Sequence, residues 1–389
     1  MQRDAQIPWA VKVTRLGKSL LPGKFSNENR SYVWEVLIFL AAAMAIGALV
    51  IRAVGEDPVH VYSNLLAEAF LSKRGLMIAV QRATPYIFTT LAAGLAFRGG
   101  AINMGLDGQF MVGAAIAGIA GYGLPDFLPA PLRILCIFLL CGMGGAAAAF
   151  VPAIFKRISG VNEVITGMIA NLLMPFLLSS VIHLFPGLRA ARAGASDQLP
   201  VSSWLPQFNE LPLGGWGFGT RANVAIFIGL GLTVFLALWI RHSKLGYEIR
   251  MSRANFSFAQ LGGISAGRMF FVSMMLSGAI AGMAGATEVL GVWRQAAGTT
   301  LAVGNKGLVL ALVGGGSFYG GTLASLIYGG LEAGAMNASW FTSIPRPLID
   351  VLVQLLFVMT AVPSMRRFFT GSSSSDFENL GGSFLKRPT

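Results

Sequence analysis

Long apolar runs, most of them close to twenty residues, alternate with short polar or glycine-rich stretches from Val33 to Pro363. A bilayer core about 30 Å thick takes roughly 20 helical residues to cross. On that measure the pattern predicts ten spans: Val33–Val54, Leu76–Phe97, Ile102–Gly121, Leu132–Phe155, Val161–Phe185, Asn223–Ile240, Met269–Leu290, Leu301–Val313, Thr322–Ala338 and Leu348–Pro363. The eighth carries Asn305 and Lys306 and runs into Gly314–Gly316, which predicts a short or broken helix. Glycines interrupt the third in the same way. No stretch carries a strong strand signal, and nothing reads as a globular domain outside the membrane.

Composition points the same way. Of 389 residues, 54% are hydrophobic and 12% charged, against about 25% charged in a typical soluble domain. The expected fold class is all-α, a polytopic membrane helix bundle with some short or discontinuous helices. The net charge of +12 would suit nucleic acid, but the basic residues lie mostly at the ends of apolar segments, the pattern of membrane topology. There is no soluble basic domain to bind nucleic acid.

Arg3, Lys12, Arg15, Lys18, Lys24 and Arg30 precede the first run. This leader (1–32) is as long as a whole signal peptide, and no convincing small-residue cleavage site follows the first span. That span reads as a retained anchor. Placing the leader inside puts Arg98, Lys156, Arg157, the basic residues of 241–268 and the tail on the cytoplasmic side, most of the 29 lysines and arginines. Both termini are then cytoplasmic and the 186–222 loop is external. That loop, with Trp204 and Trp216, either lies on the membrane through aromatic anchors or docks an external partner. The tail (368–389) is low in complexity and reads as disordered.

The chain has no phosphate loop of the GxxxxGK[ST] type, no HExxH and no defensible Ser/His/Asp arrangement. Neither catalytic nor metal-binding residues are expected, and ATP energy would have to come from another chain. Cys136 and Cys141 point to different faces of one helix and read as packing residues.

Ionisable residues at membrane depth usually face a cavity or the bundle interior. Here they are Asp107, Glu163, Glu288, Lys306, Glu332 and Asp350. In "FRGGAINMGLDGQFMVG" (97–113), Asn103 and Asp107 are four apart and would share a face on a continuous helix, with Gln109 close by. The glycines among them weaken that helix. Such a stretch either presents polar groups to a passenger or mediates a close helix crossing. A second cluster, "GVNEVITGMIANLL" (160–173), holds Asn162, Glu163, Thr166 and Asn171. Glu163 there is either a pathway group, a solvated end residue or an acid favouring its helix N-terminus. Gly278, Gly282 and Gly285 form a small-residue seam suited to helix packing. In the cytoplasmic 241–268 segment, Asn255 would cap a short helix ended by Gly262 and Gly263. Its Phe256, Phe258 and Leu261, set among Ser257, Ala259 and Gln260, suit docking into a partner's groove or lying on the membrane.

Taken in order, "FRGGAINMGLDGQFMVGA", "GVNEVITGMIANLL", "LGYEIR…GGISAGR", "LSGAIAGMAGATEVLG" and "DVLVQLLFVMTA" resemble the permease subunits of bacterial ABC importers, in the branch of ribose-type sugar and nucleoside permeases. The chain is most similar to the longer permease of nucleoside importers, over about 33–367. The resemblance implies a permease of the type II ABC importer kind in the bacterial inner membrane. It implies a second permease as partner, a cytoplasmic ATPase that uses ATP and Mg, and an extracytoplasmic binding protein or lipoprotein that delivers substrate. It implies a substrate pathway for which Asn103, Asp107, Gln109, Asn162, Glu163, Thr166 and Asn171 are the expected residues. It places a coupling helix at Asn255–Gly262 that inserts into the ATPase. Two departures stand out: Asp107 occupies a position where the family commonly has Glu, and the usual "GENP"-like stretch reads Ser252, Arg253, Ala254, Asn255. Nucleosides are the expected substrates and simple sugars such as pentoses the alternative. A carrier driven by an ion gradient through Asp107 or Glu163 is the competing class, disfavoured by the long 241–268 segment.

Overall fold

Thirteen α-helices and one short β-ribbon are the main elements of the parts of the chain described by the computed structural model, residues 27–125, 127–184, 195–211, 217–254, 256–297 and 303–370. The helices are α1 (Asn27–Ala53), α2 (Pro58–Phe70), α3 (Lys73–Arg98), α4 (Leu106–Gly123), α5 (Ala130–Ser159), α6 (Glu163–Leu184) and α7 (Ala225–His242). They continue as α8 (Lys244–Ala254), α9 (Phe256–Leu261), α10 (Ala266–Thr287), α11 (Val303–Val313), α12 (Phe318–Phe341) and α13 (Arg346–Thr370). The basic leader up to residue 26, the tail beyond 370, Asn255 and Trp216 lie outside the described residues.

Every predicted span overlaps a helix, but only five of these helices are long and apolar enough to cross a membrane on length and composition: α1, α5, α7, α10 with its extension to Trp293, and α13. The expectation of ten such spans is corrected to that extent. For α3 and α4 the physical reason is where they sit. From Ala83 to Phe97, α3 is buried without interruption, and most of α4 is buried. A helix enclosed by protein needs no lipid-facing apolar surface, so it can carry Thr, Tyr, Asp and Gln. Helix α11 has only 11 residues, about 16 Å at 1.5 Å per residue, half of a bilayer core.

Local chemistry sets the helix ends. Asp57 caps α2 by accepting from the Val59 N–H, with Pro58 in the first turn, a pairing suited to a helix start. Ser72, Ser265 and Ser317 cap α3, α10 and α12. Gly160 closes α5 at φ 66°, a left-handed conformation that glycine adopts without strain. Helices α2 and α8 and the π-helical turn Glu288–Trp293 are not visible in the apolar pattern.

The core forms around α3 and α10. Helix α3 packs on α10, α11 and α12, and α10 packs on α3, α4 and α5. Helix α1 lies against α13, and α6 against α4 and α5, at the periphery. The glycines of α10 bring backbones together: Gly278 faces Gly145 and Ala149, Gly282 faces Cys141 and Gly145, and Gly285 faces Phe110 and Ala114. At one end of the bundle β1 (Ala195–Gln198) pairs antiparallel with β2 (Gln295–Ala297). Arg133 pins the same region, donating to Ser203 Oγ and to the Pro125 and Gly121 carbonyls.

Candidate translocation site

Between α3 and α4 the chain does not stay helical. Gly99–Gly105 forms a break, and α4 begins only at Leu106, so Asn103 and Asp107 do not share one helix face. The reason is the glycine content together with an alternative set of bonds for the backbone. Asn103 is fully buried and exchanges a pair of amide bonds with Gln109, at 2.8 and 3.0 Å. It also donates to Ser277 Oγ at 2.9 Å and accepts from the Gly105 N–H at 3.1 Å. Ser277 is midway along α10, so the break lies at mid-bundle. Asn171 of α6 closes it from the other side, donating to the Met104 carbonyl at 2.6 Å and accepting from the Gly108 N–H at 2.8 Å.

Asp107, 6% exposed, sits in the first turn of α4 and faces the start of α11. Its Oδ1 accepts from the N–H groups of Gly304 at 2.6 Å and Asn305 at 3.4 Å. The first N–H groups of a helix have no partner within it and carry partial positive charge, so a carboxylate there serves both needs. Gly304 lies against the backbone of Leu106 and Asp107, leaving no room for a Cβ. A half-length helix therefore starts in the middle of the bundle, capped by a residue nearly 200 positions earlier.

One turn along α11, Lys306 Nζ donates to Glu332 Oε1 of α12 at 3.2 Å and to Tyr86 Oη of α3 at 3.2 Å. Tyr86 Oη donates in turn to Glu332 Oε2 at 2.8 Å. The ammonium also lies 5.5 Å from the ring centres of Tyr86 and Tyr328, within reach of a cation–π attraction. Thr89 Oγ1 lies 3.3 Å from the Val303 carbonyl. These contacts tie α11 to α3 and α12.

Beside this triad lies a cavity of about 170 Å³, lined by Asn305 and Lys306 of α11, Tyr328 of α12, Gln354 and Phe357 of α13, and aliphatic side chains. Near the N-terminal end of α3 lies a second cavity, of about 260 Å³, which gathers Arg74, Arg82, Arg221, Glu288 and Trp293. Of the ionisable residues expected at depth, Lys306 and Glu332 are thus brought together. Asp350 faces Arg346 at 3.8 Å instead.

The second polar cluster is separate. Glu163, 7% exposed, pairs with Lys156 at 2.6 Å across the turn between α5 and α6. The solvated-end reading of Glu163 is corrected: it is a buried, ion-paired acid in the first turn of α6. Asn162 Oδ1 accepts from the Val164 N–H at 2.9 Å, and Thr166 Oγ1 is within bonding distance of the Asn162 and Glu163 carbonyls. From that stretch Asn171 hydrogen-bonds to the mid-bundle break, and Gly167 packs against Gly105 there.

In the 241–268 segment, α9 ends in a turn where the Gly263 and Ile264 N–H groups bond back to the Gln260 and Ala259 carbonyls, a glycine-terminated helix end. Ala259 is buried and Leu261 is 88% exposed. Arg253, at the end of α8, donates to the Phe97 carbonyl at 2.7 Å, joining this segment to the last turn of α3.

Tyr86, Tyr328, Gln354 and Phe357 were not singled out by the sequence. Tyrosines inside apolar runs read as core, yet a buried Tyr hydroxyl normally needs a partner. That need, and the lone amide of Gln354 amid apolar neighbours, were the available signals.

The family model described as branched-chain amino acid transport system / permease component matches residues 76–361. The chain is 29% identical to the guanosine ABC transporter permease protein NupP of Bacillus subtilis, over 88% of this chain and 96% of that one. It is 27% identical to the nucleoside ABC transporter permease protein NupB of Lactococcus lactis, over 86% and 92%. It is 28% identical to the glucose ABC transporter permease protein TsgB13 of Haloferax volcanii, over 85% and 88%. No solved structure matches.

Proposed function

Since the chain belongs to this permease family and is a non-catalytic subunit of an ABC importer, we propose that it forms the translocation pathway for nucleosides. The observation that carries the structural side is the half-length helix α11, which starts at mid-bundle on Asp107 and carries Lys306. Broken helices with polar termini at mid-membrane are where transporters handle polar passengers. Nucleosides are favoured over simple sugars because NupP and NupB are described as guanosine and nucleoside permeases and align over nearly their whole lengths. The glucose permease TsgB13 keeps simple sugars as the second reading.

In this proposal the helix bundle lies in the bacterial inner membrane, with both termini cytoplasmic. Asn103, Asp107, Gln109 and Asn171 frame the pathway by holding the α3–α4 break and the start of α11 in place. Asn162, Glu163 and Thr166 fix its cytoplasmic end. The segment Asn255–Gly262 inserts into a separate ATPase, which uses ATP and Mg, while a second permease and an external binding protein complete the importer. ATP-driven closure of the ATPase then moves the permease helices and switches access.

Uptake of labelled guanosine, uridine and ribose by a strain deleted for this chain tests the substrate. Loss of nucleoside uptake with ribose uptake intact is expected. Loss of ribose uptake with nucleosides unaffected would overturn the assignment.

A further inference from the structure

The cavity between α11, α12 and α13 is partly open to the outside of the chain, and of its lining residues both Asn305 and Gln354 are exposed. Among the described residues neither side-chain amide is taken up by a neighbour. At mid-bundle such an opening is unsuited to lipid, which offers no hydrogen-bonding partner. This face therefore borders a polar space.

The chemistry of the lining narrows what that space receives. Tyr328 and Phe357 stand edge to face at 4.8 Å between ring centres, and Val309, Leu310 and Val358 complete a largely apolar wall. A volume of about 170 Å³ is below the roughly 300–1,000 Å³ of sites that enclose a whole drug-sized ligand, so it suits one ring. A sugar ring would set several hydroxyls against carbon, with few groups to bond them. A flat heteroaromatic ring has apolar faces and a hydrogen-bonding edge. Gln354 offers a donor and an acceptor side by side, while Lys306 stays tied to Glu332 and Tyr86 behind it.

We propose that this cavity receives the base of the substrate during passage, with the ring against Tyr328 and Phe357 and its edge read by Gln354 and Asn305. It is a specificity site within the permease itself, and it rests on the nucleoside reading above. The test uses the complete importer in proteoliposomes: this chain, its partner permease, the ATPase and the binding protein. Uptake of guanosine, adenosine, uridine and cytidine is compared for the wild type, Gln354→Leu, Gln354→Glu and Phe357→Leu.

Gln354→Leu is expected to lower transport of at least one base relative to another about tenfold, the size of one lost hydrogen bond in a desolvated site. Gln354→Glu keeps the shape but replaces a donor with an acceptor, so the order of preference among the four bases changes. Phe357→Leu lowers transport of all four. Wild-type rates for every nucleoside in both Gln354 variants would overturn the site. A wild-type complex that moves ribose but no nucleoside would sink the substrate reading and the site with it.

Discussion

In the first turn of α4, Asp107 gives one oxygen to two backbone N–H groups at the start of α11, and that geometry defines what its carboxylate does. Replacing it by Ala removes the cap and should cost about 1–2 kcal/mol, seen as a lower thermal midpoint of the purified complex. Asp107→Asn retains an acceptor oxygen and loses the charge–dipole part, about 0.3–1 kcal/mol, so assembly should persist with a smaller fall in transport. Abolished transport in Asp107→Asn with an unchanged midpoint would show instead that the carboxylate touches substrate. The importance of this stretch was legible in the sequence, because Asn103, Asp107 and Gln109 are conspicuous in an apolar chain. Their partners were not. A carboxylate bonded to Gly304, or an amide bonded to Ser277, depends on contacts far apart in sequence that no local spacing encodes.

Among the elements, α10 depends on its glycines most directly. A methyl group on Gly282 would meet the backbone of Cys141 and Gly145, and backbone cannot swing aside as a side chain does. Gly282→Ala should therefore destabilise by about 1–3 kcal/mol, measured as reduced yield and an earlier melting transition in detergent. The outward-facing Gly231, whose added Cβ meets nothing within 4 Å, is the control and should tolerate Ala. The seam of small residues was readable from its spacing, as were the positions of the helices from the apolar runs. Helix α2 escaped because its polar residues, among them His60, Ser63, Asn64 and Glu68, break the apolar run. Helix α8 escaped because it is rich in charge. Helices α3 and α4 fall short of a membrane-crossing composition because protein, not lipid, surrounds much of their surface, and α11 because it has only 11 residues.

At the scale of the whole molecule, Arg253 on the Phe97 carbonyl joins the 241–268 segment to the last turn of α3. Displacement of α8 and α9 is thereby applied to the end of α3, the helix that carries Tyr86 and leads into the Gly99–Gly105 break. In the proposed coupling role, Leu261, exposed at the end of α9, is the side chain that would enter the ATPase. Leu261→Asp should weaken capture of the ATPase on co-purification and lower substrate-stimulated ATP hydrolysis several-fold, about 1–2 kcal/mol of lost interface, while the permease still folds. Full ATPase recovery with normal stimulation would refute that docking role. The half-length of α11 also bears on how the protein is made. Eleven residues including a lysine are too short and too polar to be retained as a span when first threaded into the bilayer. Its place in the bundle therefore depends less on its own hydrophobicity than on the side chains that receive it, Tyr86 of α3, Asp107 of α4 and Glu332 of α12.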